Sequence, residues 1–273
     1  MVKSVCVVGC GWFGLSLAKT LVNQGLAVNG TRRSQIDANA LSQLGIKGTA
    51  VDLSLTEELN RNQVEIQTAL NTDCLVVCIP PGFRKDADGY LTKLARLVEL
   101  IKDIAYQKVI FISTTGVYPP VDRLMTECDA TAYSDKSNKL LKAEAMFAKM
   151  SNSCVVRFAG LVGPKRHPGR FLAGKIDLAQ PNAPVNVVHL NDCIAAVSKL
   201  MFEASTYGIY NVCAPLHPTR RAFYQQASDD LGLTAPLFID DAIGGKLISS
   251  ERLIKEFNFE FQFSNPTDML SAC

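Results

Sequence analysis

Three glycines near the start of the chain constrain its fold more than any other feature. The apolar run Val5-Cys6-Val7-Val8 leads directly into Gly9-Cys10-Gly11-Trp12-Phe13-Gly14. An amphipathic stretch follows, with Leu17, Ala18 and Leu21 on one stripe and Gly25 as its stop. A strand, a tight turn and a helix in that order make the phosphate-binding corner of a parallel α/β sheet. Each glycine has a separate physical task there. Gly9 permits the turn, Gly11 lets backbone approach a pyrophosphate, and Gly14 allows helix and strand to touch closely. The helix N-terminus adds N–H groups and partial positive charge for the anion. Gly9, Gly11, Trp12, Phe13 and Gly14 are therefore expected at a bound dinucleotide.

The end of the second strand discriminates between the nicotinamide cofactors. A binder of NAD places an acid there for the ribose 2′-hydroxyl, and that acid repels a 2′-phosphate. This chain has Asn29-Gly30-Thr31-Arg32-Arg33-Ser34, with no acid and two guanidinium groups. Thr31, Arg32 and Arg33 thus point to NADP ahead of NAD, through charge-assisted, fork-shaped hydrogen bonds.

Apolar strands and amphipathic helices keep alternating, which predicts a doubly wound parallel Rossmann sheet of the α/β class. Further strands are expected at Leu26–Gly30, Ile46–Val51, Leu75–Ile79, Val109–Ile112 and Val155–Phe158. A long helix from about Gly89 to Tyr106 is expected to bury Leu91, Leu94, Ala95, Val98 and Ile101, and another contains Leu140–Met150. Past Phe158 the pattern loosens at Gly163-Pro164, His167-Pro168-Gly169 and Gln180-Pro181. The reading is a dinucleotide-binding domain over 1–158 and a smaller, irregular C-terminal lobe over 159–273 that holds the substrate. A strand at Val185–Val188 and a helix capped by Asn191, together spanning 185–203, return to the Rossmann core. Two more helices begin near Thr219 and Ser250.

Bulk properties narrow the partners. A net charge of +2 is too near neutral for a nucleic-acid binder. No apolar run approaches the roughly 18 residues that span a bilayer. The first 18 residues loosely resemble a secretory signal, but their glycines and lack of a small-residue cleavage pattern make them a strand and turn. Nine cysteines scattered through apolar segments, without metal-ligand spacing, read as buried reduced thiols of a cytoplasmic protein. Oligomeric state stays open.

Five further stretches carry a family resemblance: Val51-Asp52-Leu53, Phe111-Ile112-Ser113-Thr114-Thr115-Gly116-Val117-Tyr118, Arg157 through Pro164, His189-Leu190-Asn191-Asp192 and Tyr210-Asn211-Val212. In their order and spacing the chain resembles the extended and atypical short-chain dehydrogenase/reductases, the group of the NAD-dependent epimerases and dehydratases, and most of all its YeeZ-like atypical members. The resemblance implies that Asp52 and Leu53 contact the adenine and that Cys78, Ile79, Pro80 and Pro81 line the ribose side. It also implies that Ser113 or Thr114 polarises a substrate carbonyl, and that the stretch after Arg157 passes the nicotinamide.

The chain departs from that family where protons move. The usual Tyr-x-x-x-Lys stacks a phenol and an ammonium on one helix face so that the cation lowers the phenol's pKa. Counting back from Ala143-Glu144, the two positions fall on Lys136 and Leu140. Tyr133 with Lys136, Tyr118 and Glu127 are the substitutes for the missing proton donor. The segment Ser134–Asn138 reads as a turn and helix cap rather than a helix interior. The basic loop Gly163–Arg170 is either an anion-recognising element, a lid, or a solvated loop. Three functions follow: an oxidoreductase acting on a small molecule, anionic or neutral; an NADP-binding sensor or partner protein without turnover; or a nucleotide-sugar epimerase or dehydratase, which needs the same missing pair.

Overall fold

The computed structural model describes residues 1–83, 86, 89–203, 207–241 and 243–273. The chain begins with strand β1 (Ser4–Val8), helix α1 (Trp12–Asn23), β2 (Ala27–Arg32), α2 (Gln35–Ala40) and β3 (Lys47–Ala50). Helices α3 (Thr56–Arg61) and α4 (Gln63–Leu70) lead back to β4 (Cys74–Val77), then α5 (Gly89–Ile101) and β5 (Lys108–Thr114). Next come β6 (Leu124–Met125), α6 (Asp135–Ala148), β7 (Ser153–Phe158), β8 (Gly160–Val162), α7 (Gly169–Leu172) and β9 (Val187–His189). The remainder is α8 (Leu190–Phe202), β10 (Gly208–Val212), α9 (Arg220–Asp229), β11 (Leu247–Ile248) and α10 (Glu251–Phe257).

The expected doubly wound sheet is present as seven strands in the order β10-β7-β5-β4-β1-β2-β3. Strand β1 pairs in parallel with β2 on one side and β4 on the other, and Val5, Cys6 and Val7 are fully buried. A strand enclosed on both faces must be apolar throughout, which is why its sequence shows no alternation. The chain winds outward through β2 and β3, then returns to place β4 beside β1. That reversal opens a crevice at the carboxyl ends of β1 and β4, where ligands of such sheets bind.

Two compact units make up the chain. One comprises Met1–Ser113, Asn138–Val156 and Val197–Ile209; the other comprises Thr114–Ser137, Arg157–Ala196 and Tyr210–Cys273. They interleave rather than meet at one cut near residue 158, and residues 185–203 divide between them after Ala196. In the first unit, α5 buries Tyr90, Leu94, Leu97, Leu100 and Ile101, while Ala95 faces solvent, and the helix stops at Ile101 rather than near Tyr106. The buried stripe is turned from the expected one because the large Leu97 and Leu100 outweigh the small Ala95. Tyr106 instead donates its phenol to Leu70 O at 2.9 Å on the way into β5.

The second unit has its own core of Val162, Val185, Val187, Ala214, Phe223, Ala227, Met269 and Leu270. The basic loop 163–170 is built into this unit. His167 is buried, its Nδ1 accepts Gly169 N at 3.1 Å, and a Cβ on Gly169 would lie 2.0 Å from Ala227 O. Pro164 and the charges of Lys165, Arg166 and Arg170 reach solvent. Helix α8 starts one residue before the expected Asn191 cap. The His189 ring does the capping: Nδ1 accepts Asn191 N at 3.2 Å while Nε2 lies 3.2 Å from Ala272 O. A neutral ring protonated on Nε2 satisfies both contacts, and burial, offset in part by Ala272 O, depresses the His189 pKa accordingly.

Asp192, in the first turn of α8, accepts Gln262 N at 2.6 Å and Phe263 N at 3.3 Å. Burial outweighs these bonds and pushes its carboxyl up to about 6. The folded chain therefore holds this proton more tightly than the unfolded chain, whose carboxyl titrates near about 4. Stability associated with Asp192 is fully present below pH 4 and is lost as pH rises to 6. Asp192→Asn should accordingly gain stability relative to the parent between pH 4 and pH 7, read from urea midpoints; a pH-independent difference would contradict a buried charge.

Among the described residues no helix is long and apolar enough to cross a membrane. Of the nine cysteines, Cys6, Cys10, Cys74, Cys154, Cys193 and Cys213 are buried and Cys128 is exposed.

Candidate functional site

The crevice at the reversal is a cleft of about 460 Å³ within the first unit. Its floor is the turn after β1. Thr31, buried at the end of β2, fixes that turn by accepting Gly9 N on Oγ1 at 3.0 Å and Cys10 N on its carbonyl at 2.9 Å. Gly9 has φ +92°, and a Cβ there would lie 3.2 Å from Cys78 O in the loop after β4. Gly14 packs onto the turn so closely that a Cβ would sit 2.4 Å from Gly9 O. A Cβ on Gly11 would meet nothing within 4 Å. Space is thus left open at the one glycine expected to face a pyrophosphate, and Gly11 caps α1 without any side-chain hydrogen bond.

The structure gathers most of the expected cofactor residues around this cleft. Gly9, Gly11, Thr31, Arg32 and Arg33 line it, as do Asp52 and Leu53 after β3 and Cys78, Ile79, Pro80 and Pro81 after β4. Trp12, Phe13 and Gly14 are not in its lining. Phe13 and Gly14 are buried and shape the turn by packing instead.

The electrostatics favour an anion. Arg32 has a buried Nε with no hydrogen-bond partner, which is costly unless a ligand supplies one. Arg33 makes no hydrogen bond or ion pair among the described residues. The thiols beside them give no compensation: burial pushes Cys10 up to about 11 against the pull of Arg32, and raises Cys78 well above the ordinary thiol value, so both stay neutral. Asp52 is spoken for. Burial raises its pKa, but hydrogen bonds from Ser54 Oγ at 2.5 Å and Ser54 N at 2.9 Å, with Arg33 and Lys93 nearby, leave it below the ordinary carboxylate value. The unsatisfied guanidinium and the open cradle at Gly11 fit a dinucleotide phosphate.

Among the lining residues that sequence reasoning missed, four carry polar chemistry on long or charged side chains. Lys93 and Asp86 form an ion pair at 2.7 Å, Tyr90 adds a phenol raised by burial and by Glu144, and Asp37 accepts Ser34 Oγ at 2.6 Å. Tyr90 could have been found, since it begins the buried stripe of α5; nothing in the pattern marks the other three.

The expected catalytic residues separate. Ser113 is buried and donates its hydroxyl to Glu144 Oε1 at 2.5 Å, so its proton is committed. Thr114 accepts Gly116 N on Oγ1 at 3.2 Å, and its own O–H has no acceptor among the described residues. Tyr118 is corrected from proton donor to structural residue. It is fully buried, donates to Asn211 Oδ1 at 2.6 Å, and accepts Arg157 Nη1 at 2.8 Å. Arg157 itself is buried and also donates to Glu127 O at 2.9 Å, while Glu127 Oε1 accepts Asn211 N at 2.9 Å. These engagements withdraw Glu127 and Tyr118 from the substitutes.

Tyr133 lies ahead of α6, half-exposed, with its phenol on Gly116 O at 3.1 Å. Lys136 is exposed in the first turn of α6 and Leu140 is buried. Ser134 and Ser137 bond each other across the start of the helix; only Ser134 lies outside it, and the expected turn over Asp135–Asn138 is instead the first turn of α6. Lys246, which sequence did not flag, donates to Thr115 O at 3.0 Å and Tyr118 O at 2.8 Å and so holds the turn that follows Thr114.

A parallel sheet with a glycine-built phosphate corner at its switch point, followed by a Ser-Thr-Thr strand end, defines a protein of the Rossmann-type α/β class. The UDP-glucuronic acid 4-epimerase of Bacillus cereus, solved in complex with NAD, superposes with a TM-score of 0.77 at 16% identity, over 98% of this chain and 96% of its own. The dTDP-glucose 4,6-dehydratase of Bacillus anthracis, also solved with NAD, gives 0.75 at 16% identity over the same shares. Within this type, the chain belongs to the family of Protein YeeZ of Escherichia coli K12, to which it is 34% identical over 277 residues, covering 98% of each. No protein-family model matches the chain.

Proposed function

We propose that this protein binds NADP(H) in the cleft of its first unit and acts as an oxidoreductase on a small carbonyl or alcohol compound. The observation that carries the reading is the pairing of open space at Gly11 with the unsatisfied Arg32 Nε. Gly9, Gly11 and the start of α1 would hold the pyrophosphate, Arg32 and Arg33 the 2′-phosphate, and Asp52 and Leu53 the adenine side. The bound nicotinamide supplies or accepts hydride. Thr114 donates its uncommitted O–H to the substrate oxygen, a role Ser113 cannot share while its proton rests on Glu144. Tyr133, the one exposed phenol among the substitutes, exchanges the proton.

Trp12 is the only tryptophan and opens α1 directly after Gly11, so energy transfer from it to a bound reduced nicotinamide reports binding. Titration with NADPH and separately with NADH should show much tighter binding of NADPH. Equal affinities would remove the 2′-phosphate assignment, and no response to either would sink the reading. Given turnover on a carbonyl panel, Thr114→Val should lower it by about 100-fold, the lower end for a positioned polar contact in the transition state, with NADPH affinity kept.

A second reading is a non-catalytic NADP-binding sensor or partner protein, favoured by Lys136 and Leu140 standing where the family carries its Tyr and Lys. NADPH consumption that disappears in Thr114→Val would exclude it.

A further inference from the structure

Beside the cofactor cleft lies a second cavity of about 510 Å³, also in the first unit. Arg33 and Asp52 line both. The second cavity is further lined by Ser34 and by Glu58, Arg61 and Asn62 at the α3–α4 junction. Arg61 is exposed on the last turn of α3 and makes no hydrogen bond or ion pair among the described residues, as is true of Arg33. Together with the buried, unpartnered Nε of Arg32, three guanidinium groups line two adjoining cavities without a bonded counter-ion. Like charges gathered this way repel, and a compact anion of more than one charge relieves the repulsion. Guanidinium forks match the oxygens of a phosphate monoester, which carries about two charges at neutral pH. The carboxylates in the same lining, Asp52 and Glu58, repel an extended polyanion, so a single terminal phosphate suits the cavity better.

We propose that Arg61 is the second arm of the 2′-phosphate site, closing on the phosphate from α3 while Arg33 holds it from the turn after β2. The inference rests on the reading that the first cavity takes a nicotinamide dinucleotide. It places part of the NADP preference on a residue nearly thirty positions beyond the β2 segment that is ordinarily read for it.

The test is binding by calorimetry and Trp12 quenching, with NADPH, NADH and 2′,5′-ADP as probes. Arg61→Gln should weaken NADPH and 2′,5′-ADP by about tenfold or more, the worth of one charge-assisted hydrogen bond, and leave NADH unchanged. Arg61→Lys, which keeps the charge but not the fork, should recover part of the loss. Because Arg61 is exposed and unpaired, its variants should melt with the parent. NADPH-selective binding in the parent that Arg61→Gln leaves untouched would overturn the inference while keeping the cofactor reading. Equal NADPH and NADH affinities in the parent would overturn it together with the NADP assignment but keep a dinucleotide cleft. No binding of any probe would overturn both.

Discussion

Gly11→Ser is expected to weaken dinucleotide binding at least about tenfold without weakening the fold. A Cβ at residue 11 meets no protein atom within 4 Å, and the backbone there has φ −79°, which any residue adopts. Gly11 is also the N-cap of α1, a position where Ser is at least as favourable as Gly. Thermal stability should therefore match the parent or slightly exceed it. The added side chain occupies the space in which a pyrophosphate would approach the turn, so NADPH and NADH should both weaken by at least about tenfold, equivalent to roughly 1.4 kcal/mol. Gly14→Ala makes the opposite control. Its Cβ would lie 2.4 Å from Gly9 O and 3.3 Å from a Val7 methyl, atoms that cannot give way without moving β1 from α1. Overpacking of this kind costs about 1–3 kcal/mol, so Gly14→Ala should lose stability and binding together. Full NADPH affinity in Gly11→Ser would show that the open space is not a phosphate cradle. A large stability loss in the same variant would show that it is not open.

What sequence made legible follows from which interactions are local. The phosphate corner could be read because each glycine answers to its immediate neighbours, and β1 because burial on both faces leaves only apolar residues. Helices α2, α3 and α4 were not anticipated. They are six to eight residues long and bury only Ala38, Leu59, Ile66, Ala69 and Leu70 among them, too few for a helical period to emerge. That gap hid Arg61. The stripe of α5 was misjudged because several apolar residues compete for the buried face, and the neighbouring elements decide which wins. Ser113 and Thr114 are adjacent and chemically alike, so no local pattern separates them. A carboxylate 31 residues later, Glu144, does so by taking the proton of one. Tyr118 and Lys246 are decided at still longer range, by Arg157 and Asn211 for the first and by Thr115 O and Tyr118 O for the second. Tertiary partners of this kind leave no periodic trace.

Arg157→Leu should produce the largest loss of stability of any single substitution discussed, because it empties a buried polar cluster of its cation. Leu fills much of the volume but leaves Glu127 O without that donor and Tyr118 without one of its two partners. Losing two hydrogen bonds from a buried cation costs about 3 kcal/mol or more, which in a chain of this size lowers the melting point by roughly 6–12 °C. Tyr118→Phe breaks the same cluster from the other side. It strips the donor from Asn211 Oδ1 and the acceptor from Arg157 Nη1, at a cost of about 1–3 kcal/mol. Since both substitutions remove the Arg157–Tyr118 bond, the double variant should be more stable than the sum of the two losses predicts, by at least about 0.5 kcal/mol. The pH dependence identifies the phenol as the group at work. Burial pushes Tyr118 up to about 12, with Arg157 and Asn211 pulling the other way, whereas a tyrosine in the unfolded chain titrates near about 10. The folded state therefore holds the phenol proton more tightly, and the stability it confers is complete below pH 10 and lost as pH climbs through 12. The parent's advantage over Tyr118→Phe should shrink across that window while NADPH affinity at neutral pH is equal in the two. A strictly additive double variant would mean that Arg157 and Tyr118 act independently. A loss of NADPH turnover in Tyr118→Phe with unchanged stability would return Tyr118 to the chemistry.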